Sequence, residues 1–239
     1  PLSEISPYLV AATIATEDKD FYSNAGFDSI AIIRALWANY VTDGQGGGAS
    51  TITQQLARAL LLTPEERTQR TVSRKTREII LASEITRRYT KDEILELYLN
   101  EIYYGNLAYG IEAASETYFH KSAKDLTLGE AAFLAGLPQS PAVYDIYTNP
   151  DPTLIRQQQV LVLMFDLSQA ENCIAVSNSE EKVCVDPLAA TDAANQIKSY
   201  PFVAPTFGAT KYPHWVNYVR AELENLYDAQ TIYRSGFVV

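Results

Sequence analysis

Histidine is nearly absent. His120 and His214 are the only two in 239 residues, and neither stands in a motif that makes it a base or a metal ligand. That excludes Ser-His-Asp chemistry. Cysteine is as scarce. Cys173 and Cys184 lie 11 apart in a polar stretch, a spacing that permits one disulfide closing a small loop, or two buried thiols. Two cysteines without histidine partners do not make a zinc site. No apolar run reaches 18 residues, so no transmembrane helix is expected, and no signal peptide is visible. The chain opens at Pro1 without Met and reads as an excised piece. A Walker phosphate loop and a dinucleotide fingerprint are both missing. The net charge of −10 argues against a nucleic-acid partner.

What is present is a core and many helix starts. The chain is 47% hydrophobic and 20% charged, the balance of a globular protein. The fold class is mainly α. Ser6-Pro7 offers a cap and an N1 proline for a helix running toward Asp20. Asp28 can cap a second, with Ile30, Ile33, Trp37 and Val41 on one face and Ile32, Leu36 and Tyr40 making it apolar over much of its circumference. That helix is buried or meets an oily surface. Gly44, Gly46, Gly47 and Gly48 form a loop, and Ser50 can cap a helix through Leu62. Thr63-Pro64-Glu65-Glu66, Thr90-Lys91-Asp92-Glu93 and Thr127-Leu128-Gly129-Glu130 are capping boxes. The first can start a helix reaching Tyr89, the second one through Asn100, the third one to Leu137. Asp151-Pro152 starts another to about Asp166. The helical pattern breaks over residues 167–185, a short helix follows over 186–198, and 200–213 reads as an extended linker. Trp215, Val219, Leu223 and Leu226 mark one more helix, before a β-prone end.

Carboxylates and cations carry the chemistry. Glu17 and Asp18 follow the apolar run from Leu9 to Ile14. A carboxylate there sits partly out of water, which raises its pKa and makes it a usable base; a solvated helix residue is the plain alternative. Residues 58–91 hold nine of the 19 Lys and Arg and only four acids. This basic island suits a particular anion, or is a helix laced with ion pairs. Within it, Glu78 shares a helix face with Arg74 and Lys75, where it stays ionised and can orient cations, or hold a metal with them, around a phosphate. Upstream, Ser50, Thr51, Thr53, Gln54 and Gln55 place hydroxyls and amides at a helix start, whose free N–H groups favour an anion.

Together these stretches resemble the family 51 glycosyltransferase domain of class A penicillin-binding proteins, the peptidoglycan glycosyltransferases. Five motifs occur in order and cover almost the whole chain: Glu17-Asp18-x-x-Phe21 with Gly26; Gly48-x-Ser50-Thr51-x-Thr53-Gln54-Gln55; Arg74-Lys75-x-x-Glu78; Ile94-Leu95-Glu96-x-Tyr98-Leu99-Asn100 with Gly105 and Gly110; and Ala131-Ala132-x-Leu134-Ala135-Gly136-Leu137-Pro138-Gln139-x-Pro141. Three departures stand out. Asn24 replaces a usual His, and its amide inherits or loses that role. After Gln54-Gln55 the usual Lys-Asn pair is Arg58-Ala59, which keeps the charge and drops an amide. The cysteine segment belongs to no family motif.

The resemblance implies a lysozyme-like, two-lobed helical domain. Residues 1–166 would form the glycosyltransferase core, 167–205 a cysteine-containing insertion with a short helix, and 206–239 a linker toward a transpeptidase domain absent from this chain. It implies polymerisation of lipid II into β-1,4 glycan with inversion and release of undecaprenyl pyrophosphate. Glu17 matches the base on the acceptor 4-hydroxyl, supported by Asp18, and Glu78 the second catalytic glutamate, near the leaving pyrophosphate. Arg58, Arg74 and Lys75 are expected on phosphates, and Ser50, Thr51, Gln54 and Gln55 in the donor site with Asp18. No organic cofactor is implied; a divalent metal, Mg or Mn, near Glu78 is compatible, held indirectly. Partners would be lipid II, the lipid-linked glycan, the membrane surface and other cell-wall synthesis proteins. The site of action would be the outer face of the bacterial cytoplasmic membrane, with an N-terminal anchor outside this chain. Two rival readings are a lysozyme-like hydrolase, which needs no pyrophosphate site, and a silent cell-wall scaffold.

Overall fold

Threonine stands at the start of most helices among the described residues. In the computed structural model, which describes residues 1–29, 50–69 and 71–204 with isolated positions 215, 219 and 222, the helices are α1 (Pro7–Glu17), α2 (Ile52–Leu61), α3 (Pro64–Thr68), α4 (Val72–Arg88), α5 (Lys91–Glu101), α6 (Ile111–Phe119), α7 (Leu128–Gly136), α8 (Pro150–Glu171) and α9 (Pro187–Lys198). At Thr63 and Thr90 the hydroxyl accepts from the third residue's N–H while that residue's glutamate accepts from the threonine N–H. Glu130 likewise accepts from the N–H of Thr127 at 2.8 Å. Each box satisfies donors that a helix start leaves open. Among the described residues the chain is mainly α, and the only β pairings are two isolated bridges.

Several boundaries differ from those expected. Thr51, not Ser50, caps α2: its hydroxyl accepts from Gln54 N–H at 3.2 Å. The helix begun at Thr63 does not reach Tyr89. It ends at Thr68, and Thr71 starts α4 by accepting from Arg74 N–H at 3.2 Å. The helix at Pro150 runs past Asp166 to Glu171. Helix α6 begins behind Gly110, which offers no side-chain cap, so nothing announces it. The helix expected from Asp28, the Gly44–Gly48 loop, the helix at Trp215 and the β-prone end lie outside the described residues, apart from isolated positions.

The core gathers around α7, buried from Gly129 to Gly136. Helices α1, α8 and α9 pack against it, and α2 packs on α4 and α5. One apolar cluster joins the two groups through Leu9, Ile14, Ile52, Leu56, Tyr98 and Phe133. Cys173 and Cys184 form a disulfide. The loop it closes shares the core through Ile174, Val176 and Val183, joined by Val185 just beyond it. Asn178 Nδ2 donates to the carbonyls of Leu2 and Ile5 at 3.2 and 2.7 Å, and Ser177 N–H donates to Tyr22 Oη at 3.1 Å. The cysteine loop thus braces the segments on both sides of α1.

Candidate active site

Glu17 is the last residue of α1, where the helix's own carbonyl end disfavours a negative charge. Burial pushes its carboxyl above the ordinary value, and a hydrogen bond from Gln55 and the charges of Arg156 and Arg58 oppose that rise. Gln55 Nε2 donates to Glu17 Oε2 at 2.6 Å. The side chain is neither solvated nor sealed, as a proton acceptor requires.

Asp18 does something else. Its carboxylate takes two hydrogen bonds from Asn24 Nδ2, at 2.8 and 3.0 Å, and one from Ile52 N–H at 3.2 Å. Burial holds it above the ordinary carboxylate range. The open N–H at the start of α2 therefore meets this protein's own anion, not a free one. Asn24 Oδ1 accepts from Gly26 N–H and from Lys91 Nζ, at 2.9 and 3.0 Å. The Asn24 amide ties the end of α1, α2 and α5 together. Thr51 closes the joint by donating to the Gly26 carbonyl at 2.7 Å.

The second cluster forms between α2 and α4. Glu78 is 1% exposed and faces three cations. Arg74 pairs with its Oε1, Lys75 Nζ lies 3.4 Å from Oε2, and Arg58 Nε lies 4.0 Å from Oε1. Lys75 Nζ also donates to Ser50 Oγ at 2.7 Å and to Gln54 Oε1 at 3.1 Å. Burial lowers the Lys75 pKa, and Glu78 opposes that. Part of the island is the ion-pair lacing weighed from sequence, with Arg77–Glu66 and Arg87–Glu84 as exposed pairs; Arg58, Arg74 and Lys75 converge instead on one buried carboxylate.

Gln54 and Gln55 link the clusters. Neighbours on a helix point about 100° apart, so one amide reaches Lys75 and the other Glu17. Gln55 and Arg58 also line a cleft of about 360 Å³ with Tyr103, Tyr109, Pro138 and Pro141. Ala59 lines it too. A second cleft, of about 340 Å³, adjoins at Tyr103 and Pro141 and adds Asn106 and Asp145.

Glu78 does not fit a metal held directly. Hard divalent ions want several oxygen ligands. This carboxylate is enclosed by cations, and no group of three or more His, Cys, Asp or Glu is gathered for a metal among the described residues.

Three contributors were not assigned roles from sequence. Tyr98 donates to Gln55 Oε1 at 3.2 Å. Tyr104 is buried near Glu17. Arg156 reaches in from α8, its Nε donating to the Gly136 carbonyl at 3.3 Å. Tyr98 stood inside a quoted motif; nothing local marked Arg156.

The model of the transglycosylase family matches residues 1–165. Penicillin-binding protein 1A of Escherichia coli (strain K12) is 40% identical over 236 residues, 99% of this chain and 25% of that protein. Penicillin-binding protein 1F of Bacillus subtilis (strain 168) is 42% identical over 165 residues, 69% of this chain and 22% of that protein. Penicillin-binding protein 1A of Aquifex aeolicus is 43% identical over 182 residues, 76% and 24%. The chain spans a quarter or less of the length of these relatives. A crystal structure of penicillin-binding protein 1A from Haemophilus influenzae is also similar, at 23% identity over 75% of this chain and 20% of that one; its TM-score of 0.42 is too low to carry an argument.

Proposed function

The chain belongs to the transglycosylase family, and on that premise we propose that it is a peptidoglycan glycosyltransferase polymerising lipid II. In the proposed step Glu17 takes the proton from the 4-hydroxyl of lipid II. The freed oxygen forms a β-1,4 bond to the anomeric carbon of the lipid-linked glycan, whose bond to the pyrophosphate oxygen breaks with inversion. The pyrophosphate leaves with the electron pair.

The observation that carries this reading is the division of labour between adjacent glutamines. Gln55 serves the half-buried carboxylate, and Gln54 serves the cations around Glu78. A base on α1 and an anion-stabilising cluster on α4, joined by adjacent glutamines of α2, are what transfer from a pyrophosphate donor needs. A hydrolase has no use for the second. Arg74, Lys75 and Arg58 would face the leaving group, with Glu78 holding them in place and Ser50 fixing Lys75. Asp18 and Thr51 would act by positioning α2. A divalent ion, where the reaction uses one, would arrive with the pyrophosphate.

No helix among the described residues is long and apolar enough to cross a membrane. The domain is proposed to work at the outer face of the bacterial cytoplasmic membrane, held there by an anchor N-terminal to this chain. Other cell-wall synthesis proteins are proposed neighbours, not residents of this site.

Labelled lipid II in detergent tests the reading. Polymer with release of undecaprenyl pyrophosphate supports it. Unlinked lipid II after incubation with folded protein, with and without a divalent ion, contradicts it.

A further inference from the structure

We infer that Tyr98 is a positioning residue for Glu17, acting through the Gln55 side-chain amide. The inference rests on the proposed role of Glu17 as the base. An amide has two faces of opposite character: the oxygen only accepts and the nitrogen only donates. Gln55 turned one way gives Glu17 a hydrogen-bond donor; turned the other, it sets an oxygen against the carboxylate. Glu17 alone does not decide between them, because a protonated carboxyl can donate to the oxygen. Tyr98 does decide. Its O–H points at Gln55 Oε1 at 3.2 Å, which leaves Nε2 for Glu17 at 2.6 Å.

Tyr98 suits that task. It is 1% exposed on α5, so water does not compete for its proton. Burial and the neighbouring Glu17 push its own pKa well up, so it remains a donor throughout the working range. Among the described residues the other charged and titratable groups that act on Glu17 are Arg58 from α2, Arg156 from α8 and Tyr104 after α5, with Asp18 next to it in the chain. Among the described residues Gln55 makes the only side-chain hydrogen bond to Glu17. Control of that amide is therefore control of how readily Glu17 is free to take a proton.

The prediction is that Tyr98→Phe raises the pKa of Glu17 while leaving its position unchanged. The acid limb of kcat against pH then moves to higher pH. At a pH on that limb kcat falls by up to about tenfold, and KM for lipid II stays as in wild type. A change in packing alone would not move the acid limb.

The test is a carboxyl ¹³C NMR titration of Glu17, assigned by its loss in Glu17→Gln, beside kcat–pH profiles on lipid II. Wild type, Tyr98→Phe, Gln55→Met and the double variant are compared. Both single variants should raise the Glu17 pKa, and the double should raise it no further than Gln55→Met. A Glu17 titration in Tyr98→Phe that overlays wild type overturns the inference, as does full additivity in the double. If Tyr98→Phe fails to fold, 3-fluorotyrosine at position 98 keeps the ring and makes a stronger donor, so it should lower the Glu17 pKa; no shift overturns the inference. Failure of the base reading is separate. It would show as polymerisation surviving in Glu17→Gln, whatever the NMR titration gives.

Discussion

A Cβ on Gly26 would sit 2.5 Å from the carbonyl oxygen of Ala82, and φ at Gly26 is +90°. The loop carrying Asn24 therefore lies directly on the backbone of α4, the helix that carries Glu78. Backbone strain and the clash both oppose a side chain there. Gly26→Ala should destabilise the fold by roughly 2–4 kcal/mol and lower activity through misplacement of α2. Urea unfolding checks the first part; a midpoint equal to wild type would contradict the contact.

Glu78 is buried while its three cations remain 16–35% exposed. Removing its charge leaves those cations unpaired but partly solvated, so the loss falls below that for a sealed pair. Glu78→Gln should cost about 1–2 kcal/mol and severely reduce polymerisation. Unchanged unfolding together with full activity would remove Glu78 from both roles.

The Cys173–Cys184 disulfide closes a loop with a sequence separation of 11. A loop of that size stabilises by about 2–3 kcal/mol. The double variant Cys173→Ala/Cys184→Ala should lose about that much. Well below its melting midpoint, polymerisation should stay near wild type, because no cysteine touches the site. A large loss of activity with unchanged stability would instead place this loop in the mechanism.

The helix starts at Thr63, Thr90 and Thr127 were legible because a glutamate follows each by three residues. Thr71 was not, because Arg74 occupies that place, and one helix was expected where two exist. Both glutamate clusters were legible as types of chemistry. Their wiring was not, because it is long-range. Asp18 reaches Ile52 across 34 positions, Lys91 reaches Asn24 across 67, and Tyr98 reaches Gln55 across 43. Asp18 and Thr51, expected in the donor site, spend their polar atoms on one another's segments. The hydroxyls and amides of 50–55 looked alike in sequence; packing against α4 and α5 gives each a different partner.

Burial raises the Glu17 carboxyl above its ordinary 4.5, so only between 4.5 and the raised value does the folded chain hold a proton there that the unfolded chain has lost. The group's contribution to stability is full below 4.5 and is lost as pH rises through the raised value. Glu17→Gln should therefore melt higher than wild type near neutral pH, with the two curves converging in acid. Identical melting at neutral pH would show that the carboxyl is not held out of water.

The most direct test of the whole account is polymerisation of lipid II by Glu17→Gln, with folding and lipid II binding verified on the same sample. Loss of a general base predicts a fall in kcat of about 10²–10⁴-fold with binding retained. Turnover within a few-fold of wild type would show that another group takes the acceptor proton.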